Sequence, residues 1–177
     1  MGLFEYHEKG MIRIEYRRKF VILSNCILNQ MAVVIGEKRA SGPFPFVKVL
    51  VDHGVGMLQL PCPEMNELGP QRPGMSYKEY DAIEGYRERC RVWLQPVFNQ
   101  IKSYLANGDQ LLGMIGINQS PNCSISGQRG VWMEIIIDWL NEESIECPLL
   151  EVPTWYSEDE QGTFDEEVIR LIKGDND

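Results

Sequence analysis

The sequence predicts a single α/β domain in which a short, mainly parallel sheet is flanked by helices, a Rossmann-like three-layer arrangement. Short apolar runs of strand type alternate along the chain with longer segments of helical spacing, which is the pattern of βαβ units. The 177 residues suit one domain, and neither an internal repeat nor a composition change divides them. We therefore assign residues 1–177 to one domain, with its core over about 20–152 and a C-terminal helix over about 164–173.

The predicted strands are five short apolar runs. The first, "MIRIEY" at 11–16, alternates between apolar and polar residues, as expected of an edge strand. The others are nearly continuous apolar segments, as expected of buried parallel strands: "KFVILSN", "VGMLQLP", "QLLGMIGIN" and "CPLLEVP".

The predicted helices differ in length. In "GPFPFVKVLVDHG" the apolar residues Phe46, Val47, Leu50 and Val51 recur at helical spacing, and Gly54 is placed to end the helix. "VWMEIIIDWL" predicts a second helix, although its three isoleucines also suit a strand. "TFDEEVIRLIKG" carries a cap, acidic residues in its first turn and a basic residue near its end, so it predicts the last helix.

The longest helical signal begins at "SYKE". Ser76 and Glu79 form a capping box. An apolar stripe close to a 3.6-residue period then continues to Leu105, with a kink expected at Pro96. The pattern predicts one helix over this whole segment.

Composition and charge exclude several classes of protein. The net charge is −9 and the pI is near 4.8, which argues against a protein whose main partner is a nucleic-acid backbone. No apolar run approaches the roughly 18 residues that span a bilayer, so we expect no membrane partner. The first twenty residues lack the apolar core of a signal peptide, and we expect a cytoplasmic protein.

The five cysteines do not suggest a disulfide framework, because their number is odd and a secretion signal is absent. Cys26, Cys62 and Cys123 each follow a predicted buried strand. The carboxyl ends of parallel strands share one edge of a sheet, where ligands bind, so three thiols should meet there. Cys90 lies on the helical apolar stripe and Cys147 precedes a strand, so we expect both outside that site.

Three thiols without a histidine favour a thiophilic metal. Structural zinc usually takes four protein ligands, and no CxxC pair is present. An iron–sulfur cluster of the [4Fe-4S] type held by three cysteines leaves one iron open to act as a Lewis acid. From spacing alone, three unrelated buried thiols are the stronger interpretation.

The motifs around these cysteines resemble those of the thiouracil desulfurase family and its small desulfidase relatives. The segments are "SNCILNQ", "PCPEMNELGPQRP" and "QSPNCSISG", and they occur in the order of that family between about residues 20 and 127. Four positions depart from the family pattern, so the chain resembles a divergent member. They are Asn29 for a glycine, Ala32 for a second cysteine, Gln119 for a lysine and Ser124 for a glycine.

The resemblance implies a [4Fe-4S] cluster bound by Cys26, Cys62 and Cys123, with one iron open. It also implies catalytic roles for Glu64 and Ser120. The implied activity is an iron–sulfur-dependent, non-redox desulfidase acting on a small thiolated nucleobase, nucleoside or nucleotide. Water replaces the sulfur, and sulfide is released on the open iron.

Three further residues are candidates for substrate binding or for support of the site. Arg72 is placed to anchor its loop or to bind an anionic group. Asn29 and Asn122 flank the cysteines, where hydrogen bonds to cluster sulfur and turn roles are equally plausible. Two other functions stay open at this point: a non-catalytic module that binds sulfur compounds, and a desulfidase acting on thiolated tRNA. The charge disfavours the latter, and the sequence indicates no oligomeric state.

Overall fold

The protein is described by a computed structural model over residues 6–7, 10–11 and 18–174. A two-residue strand, β1 (Tyr6–His7), pairs antiparallel with β2 (Gly10–Met11). Of the strand expected over 11–16, only Met11 is described, and the rest lies outside the described residues.

The centre of the fold is a four-stranded, all-parallel sheet. Its strands are β3 (Lys19–Leu23), β4 (Gly56–Gln59), β5 (Gln110–Ile117) and β6 (Leu149–Val152). Their spatial order is β4–β3–β5–β6. The two central strands, β3 and β5, are almost entirely buried, which is why both read as unbroken apolar runs. These four strands confirm the predicted α/β class.

Helices connect the strands. They are α1 (Asn25–Leu28), a 3-10 helix (Gln30–Ala32), α2 (Val47–Asp52), α3 (Pro63–Leu68), α4 (Tyr77–Asp81), α5 (Tyr86–Ala106), α6 (Val131–Glu142) and α7 (Phe164–Lys173). Among them, α5 packs against α6 and α2 packs against α7. The crossover from β3 to β4 runs in the opposite direction to the crossover from β4 to β5. Right-handed crossovers therefore place α2 and α5 on opposite faces of the sheet, which gives the three layers.

The long helix predicted from Ser76 is broken into two. Its capping box is present: the Ser76 hydroxyl accepts from the Glu79 amide, and the Glu79 carboxylate accepts from the Ser76 amide. Helix α4 nevertheless ends at Asp81, and α5 begins after Gly85, whose φ is +69°. A glycine inside a helical pattern costs about 1 kcal/mol and adopts the left-handed region freely, so the chain turns there. Helix α5 then continues through Pro96.

Three local expectations also need correction. The segment after Cys62 has no predicted element, but it forms α3, with Pro63 at its first position, where a missing N–H is tolerated. Val51 was placed on the apolar face of α2, but it is 59% exposed. Thr163 stands before α7 without a side-chain capping bond. The predicted end of α2 is confirmed, since Gly54 follows it with φ +64°.

No helix within the described ranges combines the length and apolar character that a membrane crossing needs.

Candidate functional site

The candidate site is a cavity of about 570 Å³ at the carboxyl edge of the sheet. Cys26 follows β3, Cys62 follows β4 and Cys123 follows β5, and all three line this cavity. Strands β3 and β5 are neighbours where the strand order reverses, which is the place where open α/β sheets bind ligands. The structure thus brings together the three thiols that the sequence placed at this edge.

The surroundings of the three thiols raise their pKa values. Burial, with smaller contributions from the charges of Cys62 and Glu64, raises the pKa of Cys26 to about 12, while the Arg39 guanidinium acts in the opposite direction. Burial also raises the pKa of Cys123, with further contributions from Cys26 and Cys62. At neutral pH such thiols are protonated, so none is an activated nucleophile. A metal that binds them must displace their protons.

Cys62 is held by stiff backbone. It stands between Pro61 and Pro63, each of which fixes its own φ, and it caps α3. Burial raises the pKa of Cys62, and the amides of Met65 and Glu64, which face its sulfur, oppose that shift. The thiol therefore has a fixed position before any ligand arrives.

The loop that carries Cys123 is fixed from within by Ser120. The Ser120 hydroxyl oxygen accepts from the amide of Cys123 at 3.0 Å and from the amide of Asn122 at 3.4 Å. Two glycines allow the close packing of this loop. A Cβ on Gly116 would lie 2.5 Å from the Cys123 carbonyl oxygen, and a Cβ on Gly130 would lie 2.2 Å from the Asn122 carbonyl carbon.

Glu151 ties the same loop to the end of β6. Its carboxylate accepts from the Ser124 hydroxyl and the Asn118 side-chain amide, both at 3.1 Å. It also accepts from the backbone amide of Ile125 and from the Ser126 hydroxyl. Burial alone would raise the pKa of Glu151, but these hydrogen bonds outweigh it and lower the pKa. In the sequence, the only signal for this role is an acidic residue near the end of an apolar run.

Glu64 belongs to a buried polar network beside the thiols. Arg72 donates from Nε to Glu64 Oε2 at 3.0 Å, and Asn122 donates from Nδ2 to Glu64 Oε1 at 3.2 Å. Tyr86 completes the network by donating to Asn122 Oδ1 at 2.9 Å. The carboxylate is thus held by a buried cation and an amide while it lines the cavity, and Oε1, which accepts from Asn122, keeps a second lone pair.

The remaining candidates are placed as follows. Arg72 anchors its loop: besides Glu64, it donates to the carbonyl oxygens of Gly69 at 3.3 Å and Ala32 at 2.6 Å. Ala32, where the resemblance pointed to a second cysteine, lines the cavity. Asn29 does not line it, and its side chain accepts from the Met31 amide, which is the turn role.

Sequence reasoning missed two polar residues of the cavity wall. Gln30 is buried, donates to the Cys26 carbonyl at 2.7 Å and accepts from the Arg39 amide at 3.1 Å. Arg39 itself lines the cavity. Gln30 ends the motif "SNCILNQ", whereas Arg39 stands in none of the cysteine motifs and is brought to the site only by the fold.

The other two cysteines lie elsewhere, as expected. Cys90 is fully buried in α5, and Cys147 lies in a shallow groove with Ile137, Leu140 and Leu149. Within residues 6–7, 10–11 and 18–174, no group of three or more His, Cys, Asp or Glu side chains is arranged to hold a metal ion. That finding concerns ligands gathered around one ion, whereas the thiolates of an iron–sulfur cluster bond to different irons.

Comparison with known proteins gives one extensive match. The chain is 34% identical over 157 residues to an uncharacterized protein, MJ0003, of Methanocaldococcus jannaschii. The matched region covers 88% of this chain and 98% of the relative. No family model matches the chain, and no solved structure matches it.

Proposed function

The chain belongs to the family of the Methanocaldococcus jannaschii protein, and we propose that it is an iron–sulfur-dependent desulfidase. Its substrate is a small thiolated nucleobase, nucleoside or nucleotide, from which sulfur is removed. The observation that carries the proposal is the meeting of three thiols, Glu64 and Ser120 in one cavity. The resemblance of the three cysteine motifs to thiouracil desulfurases supports it.

The donor set fits a [4Fe-4S] cluster. Cys26, Cys62 and Cys123 come from three separate strand ends and open into one cavity, and all three ligands are soft thiols. Each thiol is held by its own connecting segment, so the ligands need little rearrangement on binding. When bound by three cysteines, such a cluster supplies an open iron that acts as a Lewis acid toward a soft thiocarbonyl sulfur.

The reaction balances without electron transfer. A thiocarbonyl compound and water give the carbonyl compound and hydrogen sulfide: the C=S bond breaks, a C=O bond forms, and the two protons of water pass to sulfur. The protein must therefore place one water beside the thiocarbonyl carbon and move its protons.

Glu64 is the residue suited to that proton transfer. Its carboxylate lines the cavity, and Arg72 neutralises it from the buried side. The second lone pair of Oε1 can accept a proton from water and pass it on to the departing sulfur. A positioned general base of this kind contributes roughly 10²–10⁴-fold to the rate.

Ser120 is suited to orient the substrate or the water. Its oxygen accepts from two backbone amides, which leaves the hydroxyl proton free to donate. Asn122 acts through Glu64, which it holds at Oε1, and is a positioning residue.

The test of this function is an anaerobic assay of sulfide release from 2-thiouracil, 4-thiouridine and 4-thiouridine 5′-monophosphate. Glu64→Gln should keep its bound iron and lose turnover by roughly 10²–10⁴-fold, because the amide cannot accept the proton. Glu67→Gln is the matched control, since Glu67 pairs with Arg89 and does not line the cavity. Full turnover in Glu64→Gln would move the base elsewhere.

The same assay separates the alternatives. Bound iron without sulfide release from any thiolated compound would favour the non-catalytic binding module. Release from thiolated tRNA but not from small compounds would favour the tRNA desulfidase, against the net charge of −9.

A further inference from the structure

Arg39 carries a positive charge in the cavity wall that no carboxylate neutralises within residues 18–174. Its Nη1 donates to the carbonyl oxygens of Pro153 at 2.5 Å, Thr154 at 3.2 Å and Tyr156 at 3.3 Å. Its guanidinium carbon lies 5.1 Å from the centre of the Phe44 ring. Across the described part of the chain, Nε and Nη2 have no hydrogen-bond partner. Hydrogen bonds therefore hold the guanidinium at Nη1, and the Phe44 ring covers one of its faces. Among the described residues, the donor nitrogens Nε and Nη2 remain available to a ligand.

The second arginine of the cavity differs on each of these points. Arg72 uses Nε for Glu64, Nη1 for the Gly69 carbonyl and Nη2 for the Ala32 carbonyl. Its charge is balanced by Glu64, and all three of its nitrogens are engaged. Of the two arginines, only Arg39 has both a net charge and free donors to offer a ligand.

The overall charge of the chain makes the positive charge of Arg39 important for ligand binding. The chain carries a net charge of −9, so its overall field repels anions, and an anionic ligand needs a local cation to bind. Arginine is suited to this because its planar fork binds phosphate or carboxylate through two parallel hydrogen bonds. A cavity of about 570 Å³ falls in the range of about 300–1,000 Å³ typical of ligand pockets, and it has room for more than a single ring.

We propose that Arg39 binds an oxyanion carried by the substrate, so that the substrate is an anionic thiolated compound and not a neutral nucleobase. This inference rests on the proposed desulfidase function and narrows the class of its substrate. The oxyanion is either the phosphate of a thiolated nucleotide or a carboxylate on the thiolated ring. Both present the pair of oxygens that the free Nε and Nη2 donors match.

The experiment measures binding of sulfur-free probes to the cluster-free, thiol-reduced protein by calorimetry. The probes form two pairs that differ in one anionic group: uridine 5′-monophosphate against uridine, and orotate against uracil. We expect the charged member of one pair to bind about 10- to 100-fold more tightly, the usual effect of a charge-assisted hydrogen-bonded pair. The pair that shows the difference identifies phosphate or carboxylate as the source of the oxyanion.

Variants assign the effect to Arg39. Arg39→Gln should remove the preference for the charged probe, and Arg39→Lys should retain part of it, because lysine keeps the charge and loses the fork. Glu37→Gln should strengthen binding of the charged probe a few-fold, since the Glu37 carboxylate lines the cavity near Gly74.

Two results would overturn the inference: equal affinity of charged and uncharged probes for the wild-type protein, or an unchanged preference in Arg39→Gln. Loss of iron from Arg39→Gln together with equal probe affinities would assign Arg39 to the thiolates instead, and would also overturn it. If Arg39→Gln does not fold, the wild-type comparison and Arg39→Lys still decide. Binding of these probes does not depend on sulfide release, so failure here and failure of the desulfidase proposal are separate outcomes.

Discussion

The two ends of the sheet hold cysteines in different settings. At the carboxyl edge, Cys26, Cys62 and Cys123 line one cavity and influence one another electrostatically. Cys147 precedes β6 at the opposite edge, in a shallow groove, and burial alone raises its pKa to about 12. A raised pKa is thus common to thiols at both ends of the sheet and does not distinguish them. What distinguishes the carboxyl edge is that separate loops present their thiols to one shared space.

The largest expected effect is the loss of a thiol from that shared space. Cys123→Ser should lose essentially all iron and all sulfide release, because serine is a poor ligand for a soft metal. Cys147→Ser should match the wild type in both. The measurement is iron content and anaerobic turnover of the two variants purified side by side. Equal turnover in both would remove the distinction between the two edges.

The next effect concerns the packing of the Cys123 loop. Gly130→Ala places a methyl group 2.2 Å from the Asn122 carbonyl carbon and should lower the free energy of unfolding by about 3 kcal/mol. Gly127→Ala is the matched control: its φ is +61° but no atom lies within 4 Å of the added Cβ, so it should cost only about 1 kcal/mol.

Urea denaturation of both glycine variants checks this, together with their iron content. We expect Gly130→Ala to lose iron as well as stability, because Asn122 is the neighbour of Cys123. Equal unfolding midpoints for the two variants would show that the close approach at Gly130 is relieved elsewhere.

A smaller effect is expected at Glu151, which holds the same loop from β6. Glu151→Gln should cost about 1–2 kcal/mol, since several donors lose a charged acceptor that is partly exposed to solvent. The folded pKa of Glu151 lies below its ordinary value of 4.5, so its contribution is present above pH 4.5 and is lost as the pH falls through the folded pKa.

Urea unfolding of the wild type and Glu151→Gln at several pH values between 7 and 3.5 tests that sign. The difference in stability between the two should narrow as the pH falls, because protonated Glu151 behaves like glutamine. A gap that stays constant or widens in acid would show that the carboxylate charge does not hold the loop.

The smallest effect is expected at Cys90, which is buried in α5 away from the cavity. Cys90→Ala removes one buried sulfur and should lower the free energy of unfolding by about 1 kcal/mol. Iron content and turnover should not change. Loss of iron in this variant would place a fourth thiol at the centre and contradict the division between the two groups of cysteines.

Much of the fold could be predicted because the spacing of apolar residues along the sequence indicates which faces of an element are buried. The runs at 20–23 and 111–117 are apolar throughout, because both faces of β3 and β5 are covered. The break between α4 and α5 could not be predicted, because Gly85 interrupts a pattern that is otherwise continuous. Helix α3 was missed because a segment of six residues, bounded by Pro63 and Gly69, gives too few turns for a period.

Residues of the site could be predicted from the sequence where the strand topology brings them together. They could not be predicted where an individual hydrogen bond brings them to the site. The rule that parallel strands end at one edge was enough to bring Cys26, Cys62 and Cys123 together. That rule says nothing about Gln30, Arg39 or Glu151, whose roles depend on individual hydrogen bonds to backbone atoms. Asn29 and Asn122 were both candidates near a cysteine, but the Asn29 side chain bonds to its own turn, whereas the Asn122 side chain holds Glu64.

The most direct test of the three-thiol centre is a count of iron and acid-labile sulfide on protein purified without oxygen. A [4Fe-4S] cluster on these thiols predicts about four of each per wild-type chain. It predicts near-complete loss of both in Cys26→Ser, Cys62→Ser and Cys123→Ser, and wild-type values in Cys90→Ala and Cys147→Ser. Equal iron in all five variants, or an anaerobic wild-type protein that neither carries iron nor takes it up with sulfide, would contradict it.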